Sequence, residues 1–291
     1  RSYYAEAKEI HGAEIALHYP SVGATENILL TATLAKGTPV ISNAAVEPEI
    51  IGLIDMLSTM GAKIAADVEA RKIVVEGVNG LGGVSARVIP DRNEAVSFAA
   101  AAIATRGKVL IRGVGDVHLA AFIKKLREIG AGCEVKADGI IFSGSDFLEA
   151  VDIETEPHPG FMTDWQQPFS VLLTRAEGIS VVHETVYEDR FGYARDLKRM
   201  GAAIAVNDEC PSRAKCRFYN RTFNHLATIE GPRYLRGGEM VMSDIRAGMA
   251  HVIAALMAEG ESRITGIAHL DRGYEKIDER LRALGADIRR I

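Results

Sequence analysis

Asp164, which follows Thr163 and heads an apolar run, is a carboxylate in one of two roles: a cap on a helix or an acid–base group. Asp91 and Asp244 stand at equivalent starts, so spacing alone favours the cap. Three arginines sit near acids that could simply pair with them: Arg190 beside Glu188 and Asp189, Arg246 beside Asp244, and Arg272 beside Asp271 and Glu275. A guanidinium also suits carboxylates and phosphates, because its planar fork donates paired hydrogen bonds. Ser21, Val22 and Gly23 stand where a helix begins, and backbone N–H groups there can approach an anion. Cys210, Cys216 and His225 suggest zinc, but two cysteines six apart and one histidine lack a fourth ligand and paired spacing, so no metal is expected. Cys133 reads as core, and Asn220-Arg221-Thr222 fits a glycosylation pattern that has no use in a cytosol.

The elements that must position these groups are written in glycines. A polar residue, an apolar helical run, a glycine, a β-branched strand, an amphipathic run, a second glycine and a strand recur four times. Gly37, Gly107, Gly178 and Gly260 mark the middles; Gly61, Gly130, Gly201 and Gly285 close the units, 24, 23, 23 and 25 residues later. The mid-unit glycines fit a helix stop that tolerates left-handed geometry. Ile50, Ile54 and Leu57, like Phe122, Leu126 and Ile129, form packing stripes at the helical period. Each unit is therefore expected to be helix, strand, helix, strand. The first helices are apolar almost all round and the second are wet on one side, which puts helices at the centre and sheets outside. The turn-rich Gly77 to Gly83 precedes a boundary between residues 1–88, with one unit, and 89–291, with three. Residues 207–236 read as a surface insertion.

The 291 residues are 47% apolar and 25% charged, with a formal charge of −5 spread without basic runs. That excludes nucleic acid and membrane surfaces as the main partners, and no apolar run is long enough to span a bilayer. Three cysteines and no signal peptide favour reduced thiols in a cytoplasmic protein.

Seven separated motifs then carry a resemblance: Pro20-Ser21-Val22-Gly23-Ala24-Thr25-Glu26-Asn27; Asn43-Ala44-Ala45 with Glu47-Pro48-Glu49; Pro90-Asp91-Arg92; Thr163-Asp164; Glu184-Thr185-Val186-Tyr187-Glu188-Asp189-Arg190; Asp244-Ile245-Arg246; and His269-Leu270-Asp271-Arg272-Gly273-Tyr274-Glu275. From about Ala13 to Ile291 the chain resembles the C-terminal two thirds of the UDP-N-acetylglucosamine enolpyruvyl transferases. The resemblance implies an α/β fold, an inverse α/β barrel pair of two three-unit domains. Four of the six units are present, so two are expected on the N-terminal side, with the cysteine acid and further substrate-binding arginines.

The implied reaction moves the enolpyruvyl group of phosphoenolpyruvate onto the 3′-hydroxyl of UDP-N-acetylglucosamine, the committed step of peptidoglycan precursor synthesis, with no metal or organic cofactor. By the resemblance Asp164 is the base, Arg246 and Arg272 grip phosphoenolpyruvate, and Arg190 is a cleft arginine. Tyr19, Pro20, Ser21, Val22 and Gly23 form the nucleotide-sugar loop, and Val186 contacts the sugar nucleotide through its backbone. Tyr19 stands where some members have a lysine, Trp165 follows the base without a clear reason, and Pro168 is expected to kink the helix behind it. The alternatives are a non-catalytic paralogue or fragment that binds a UDP-sugar or a partner chain, and a transferase acting on 3-phosphoshikimate.

Overall fold

A computed structural model describes residue 4 and residues 6–211, 216–242 and 245–291, the side chains of 245–247 excepted. The chain divides into two compact units, Arg1–Pro90 and Asp91–Ile291, each with its own hydrophobic core.

The first unit runs β1 (Glu14–Ala16), α1 (Val22–Ala32), β2 (Val40–Ser42), α2 (Pro48–Thr59), β3 (Lys63–Asp67) and β4 (Lys72–Glu76). Its sheet has the order β1-β2-β4-β3, with β1 parallel to β2 and the other pairs antiparallel. Ser21 starts α1 by accepting from the Ala24 N–H at 3.3 Å, and Pro48 supplies a preset φ at the first turn of α2. Ile50, Ile54 and Leu57 turn inward from α2 and pack with Leu29, Ile41 and Ile73.

The second unit comprises α3 (Arg92–Ala104), β5 (Lys108–Arg112), α4 (Ala120–Glu128), β6 (Gly132–Lys136), β7 (Gly139–Ser143), β8 (Ile153–Glu154), α5 (Gln166–Leu173), β9 (Gly178–His183), α6 (Ala194–Arg199), β10 (Ala203–Asn207), β11 (Leu226–Gly231), β12 (Glu239–Val241), α7 (Ile245–Met257), β13 (Arg263–Thr265), α8 (Ala268–Asp271) and α9 (Ile277–Ala283). Helices α3, α5 and α7 pack on one another. Alanines on α3 and the buried Phe169, Met249 and Ile253 fill the space between them, as expected of helices apolar all round. The sheets are β5-β7-β6, β10-β11-β9-β8 and the parallel pair β12-β13.

The sheets hold a strand that the sequence reading did not anticipate. After β3, β6 and β10 the chain returns as β4, β7 and β11, and each returning strand takes the middle of its sheet. The first two returns are short, and the first follows the turn Val68–Arg71, which carries no glycine. Gly139 opens the second with φ 157°, and a Cβ there would overlap the Ile111 carbonyl oxygen on the neighbouring strand. The third return corrects the reading of 207–236 as a surface insertion. Leu226–Gly231 is a central strand bonded to β9 and β10, and only the stretch between β10 and β11 is inserted.

Seven of the eight marker glycines have positive φ, between 81° and 112°. Gly107 does not; Arg106 takes the left-handed conformation in its place at φ 57°.

Candidate functional site

Asp164 lies in a 3-10 turn, Thr163–Trp165, that leads directly into α5. Met162 precedes the turn and Trp165 precedes α5, and neither side chain makes a capping hydrogen bond among the described residues. Asp91, by contrast, caps α3 by accepting from the Asn93 and Glu94 N–H groups at 2.7 and 3.1 Å. The two positions are therefore not equivalent: Asp91 immediately precedes α3, whereas Asp164 is the second residue of a 3-10 turn. Pro168 is the third residue of α5, where a helix needs no N–H. The expected kink has no cause there.

The Asp164 carboxylate instead pairs with the Arg190 guanidinium, and its Oδ2 meets the Asn93 amide nitrogen at 3.5 Å. Gln167 completes the frame once its amide is oriented to satisfy both neighbours: it donates to the Asp164 carbonyl at 3.3 Å and accepts from Arg190 Nε at 2.8 Å. Arg190 also lies over the Tyr187 ring, 4.6 Å from its centre.

Trp165 explains why Asn93 points this way. Its indole N–H donates to Asn93 Oδ1 at 3.1 Å, which leaves the amide nitrogen facing Asp164. The ring meets Phe122 and Phe161 edge-on in the core, and both of these also pack against Phe169, so the residue after the carboxylate is a buried anchor, the reason that its position in the sequence did not give.

Glu184 shapes the loop that brings Arg190 in. Its buried carboxylate accepts from the Thr155 and Thr163 hydroxyls at 2.9 and 2.8 Å and from the Val186 and Tyr187 N–H groups at 2.8 and 2.9 Å. One side chain thus ties the Thr163–Trp165 turn to the 184–190 loop. Burial pushes its pKa up from 4.5, against the pull of those four donors. The local acids do not compete for Arg190: Glu188 pairs with Arg217 at 3.3 Å, and Asp189 accepts from the Asn224 N–H at 2.9 Å.

The structure thus brings together Asp164 and Arg190, with Val186 in the loop between Glu184 and Arg190 donating its N–H to Glu184. Arg272 is exposed at the end of α8 and makes no side-chain ion pair or hydrogen bond among the described residues. Its neighbour Asp271 is bound by Arg290 at 3.0 Å through a second close contact as well. Arg246 lies in the first turn of α7, and its side chain, with all of Asp244, is outside the described residues. Tyr19, Pro20, Ser21, Val22 and Gly23 belong to the first unit, where the Ser21 N–H turns back onto the Tyr19 carbonyl at 2.7 Å just before α1. Gly23 leaves open space where a side chain would stand.

Three residues escaped the sequence reading as site parts: Asn93, Gln167 and Glu184. Glu184 was visible as part of a motif, but nothing in its spacing marked it as an acceptor of four hydrogen bonds. Nor did the reading find a fourth donor for Cys210, Cys216 and His225; the fold supplies His183.

The family model for EPSP synthase (3-phosphoshikimate 1-carboxyvinyltransferase) matches residues 2–281. A UDP-N-acetylglucosamine 1-carboxyvinyltransferase of Protochlamydia amoebophila is 47% identical over 289 residues, which are 99% of this chain and 62% of that protein. One of Halothermothrix orenii is 46% identical over 286 residues, 98% of this chain and 65% of its own length. The chain therefore spans less than two thirds of these relatives. Among solved structures, the enolpyruvyl transferase NikO from Streptomyces tendae superposes with a TM-score of 0.83 at 25% identity, covering 97% of this chain and 66% of that one. No helix among the described residues is long and apolar enough to cross a membrane. With a match along nearly its whole length, the chain belongs to the EPSP synthase (3-phosphoshikimate 1-carboxyvinyltransferase) family.

Proposed function

We propose that this chain is part of a cytoplasmic transferase that moves the enolpyruvyl group of phosphoenolpyruvate to the 3′-hydroxyl of UDP-N-acetylglucosamine. The observation that carries the reading is the Asp164 carboxylate, held by Arg190 and Asn93 on a turn anchored in the core. It is supported by relatives 44–47% identical that bear the name UDP-N-acetylglucosamine 1-carboxyvinyltransferase.

In this reading Asp164 accepts the proton of the sugar hydroxyl as its oxygen adds to C2 of phosphoenolpyruvate, while an acid protonates C3. Elimination then returns a proton from C3 to a base, expels phosphate from C2 and restores the double bond. The long Asn93 contact on Oδ2 is the one a hydroxyl displaces most readily. Arg190 steadies the other oxygen, while Arg272 and Arg246 take the carboxylate and phosphate of phosphoenolpyruvate. The loop Tyr19–Gly23 and the backbone of Val186 receive the nucleotide sugar. The finer architecture belongs to the same proposal: four units of a six-unit inverse α/β barrel pair, with residues 1–88 in the first domain and 89–291 in the second, and no cofactor.

The test is phosphate release from phosphoenolpyruvate with UDP-N-acetylglucosamine, using this chain and a form extended upstream of Arg1. Asp164→Asn is expected to lower kcat of the active form by about 10²–10⁴-fold. Undiminished turnover in Asp164→Asn would remove Asp164 as the base. Turnover with 3-phosphoshikimate but not with the UDP-sugar would overturn the acceptor.

A further inference from the structure

His183, Cys210, Cys216 and His225 each present one ligand atom, and the four atoms lie within 4.8 Å of one another. They come from three places. His183 ends β9, His225 immediately precedes β11, and the cysteines sit in the stretch between β10 and β11. The antiparallel register pairs His183 with Leu226, so the two histidines are cross-strand neighbours offset by one residue, with ring centres 5.6 Å apart.

Each histidine is oriented by its other nitrogen. His183 Nδ1 is 2.8 Å from the Glu154 carboxylate on β8, which leaves Nε2 directed at Cys210 Sγ, 3.8 Å away. His225 Nδ1 is 2.7 Å from the Phe223 carbonyl and donates to it, while His225 Nε2 is buried without a hydrogen-bond partner among the described residues, in a residue of 0% exposure. A buried imidazole nitrogen with nothing to accept from is costly unless something binds it. Cys216 is buried too, and its sulfur accepts the Phe218 N–H at 3.4 Å, the kind of bond that supports a thiolate ligand.

We propose that these four residues bind one zinc-like divalent metal ion in a closed, four-coordinate Cys2His2 site. Metal–sulfur and metal–nitrogen bonds of about 2.3 and 2.0–2.1 Å make a tetrahedron with edges of roughly 3.3–3.8 Å, so each donor need close in by less than about 1 Å. Four protein ligands leave no open position for substrate, and the role is structural. The ion clasps the inserted stretch to the sheet, and that stretch braces the loop carrying Arg190. Arg217, next to Cys216, donates to the Val186 carbonyl at 3.1 Å, and the Asn224 N–H reaches Asp189 at 2.9 Å. Glu154 is a positioning residue for His183. The inference rests on this geometry and stands whether or not the transferase reading does.

The test begins with the unmodified chain, reduced, loaded with Zn2+ and passed through gel filtration. We expect one zinc per chain, with X-ray absorption showing two sulfur and two nitrogen neighbours. Co2+ in place of Zn2+ is expected to give the visible absorption of a four-coordinate cobalt thiolate. Cys210→Ser and Cys216→Ser each abolish that absorption, Cys133→Ser leaves it unchanged, and Glu154→Gln weakens Co2+ binding by about 10–100-fold. Hydrogen exchange over 184–190 and 217–225 is expected to quicken together when a chelator removes the ion. A folded, reduced chain that retains no zinc overturns the proposal. So does a Cys210–Cys216 disulfide found by mass spectrometry in the protein as isolated from the cytoplasm, or cobalt absorption that survives both serine variants.

Discussion

At the scale of single residues, the site depends on a carboxylate that touches no substrate in the proposed reaction. Glu184 receives two hydroxyls and two backbone N–H groups, and Glu184→Ala is expected to cost about 3–5 kcal/mol by leaving those buried donors unpaired. Glu184→Gln keeps the shape: the amide oxygen replaces Oε1, and the Thr163 hydroxyl rotates to accept from the amide nitrogen. The pH dependence separates the two forms. Because burial raises the Glu184 pKa above its ordinary 4.5, the folded protein holds a proton that the unfolded chain releases. That contribution is complete below pH 4.5 and is lost as pH rises through the folded value. Urea midpoints of Glu184→Gln should therefore gain on those of the unmodified chain as pH rises. A gap that stays flat from pH 4.5 to 9 would show that the four donors outweigh burial.

At the scale of elements, the helix starts and the returning strands are the parts that set side-chain direction. Asp91→Ala removes a cap with two N–H bonds and is expected to lower stability by about 1 kcal/mol. Gly139→Ala should cost about 2 kcal/mol or more, since the new Cβ meets backbone of β5 and has no rotamer by which to escape. Thermal or urea unfolding of the pair checks the ranking; a Gly139→Ala variant as stable as Asp91→Ala would mean that β5 and β7 shift apart without loss. The same logic governs Pro168. As the third residue of α5 it breaks no intrahelical hydrogen bond, so the turn bearing Asp164 leads into α5 without losing one there.

At the scale of the molecule, two units with separate cores are joined through residues 77–90, which form no helix or strand. Arg87 is exposed and Val88 is 86% exposed. Brief trypsin treatment is expected to cut at Arg87–Val88 before it cuts within α3, α5 or α7, and mass spectrometry would find a product that begins at Val88. Cleavage of the core helices ahead of that bond would contradict the division. In the first unit Leu30 and Leu34 leave more than half their surface in water, so its single pair of helices does not cover its own apolar side chains.

Local regularities were legible in the sequence because they arise from neighbours along the chain. Ser21 as a cap, Ile50, Ile54 and Leu57 as a stripe, and glycines where a helix ends in positive φ all follow from the 3.6-residue period and from which residues tolerate left-handed backbone. Pairings across the fold were not legible. Asn93 meets Asp164 across 71 residues and Arg190 reaches it across 26. His183 joins His225 only because β9 and β11 run antiparallel in one particular register. A one-residue slip of that register would send every side chain of a strand to the opposite face. Residue types and spacing along the chain thus determined which groups were available for chemistry, and strand register and helix packing decided which of them met.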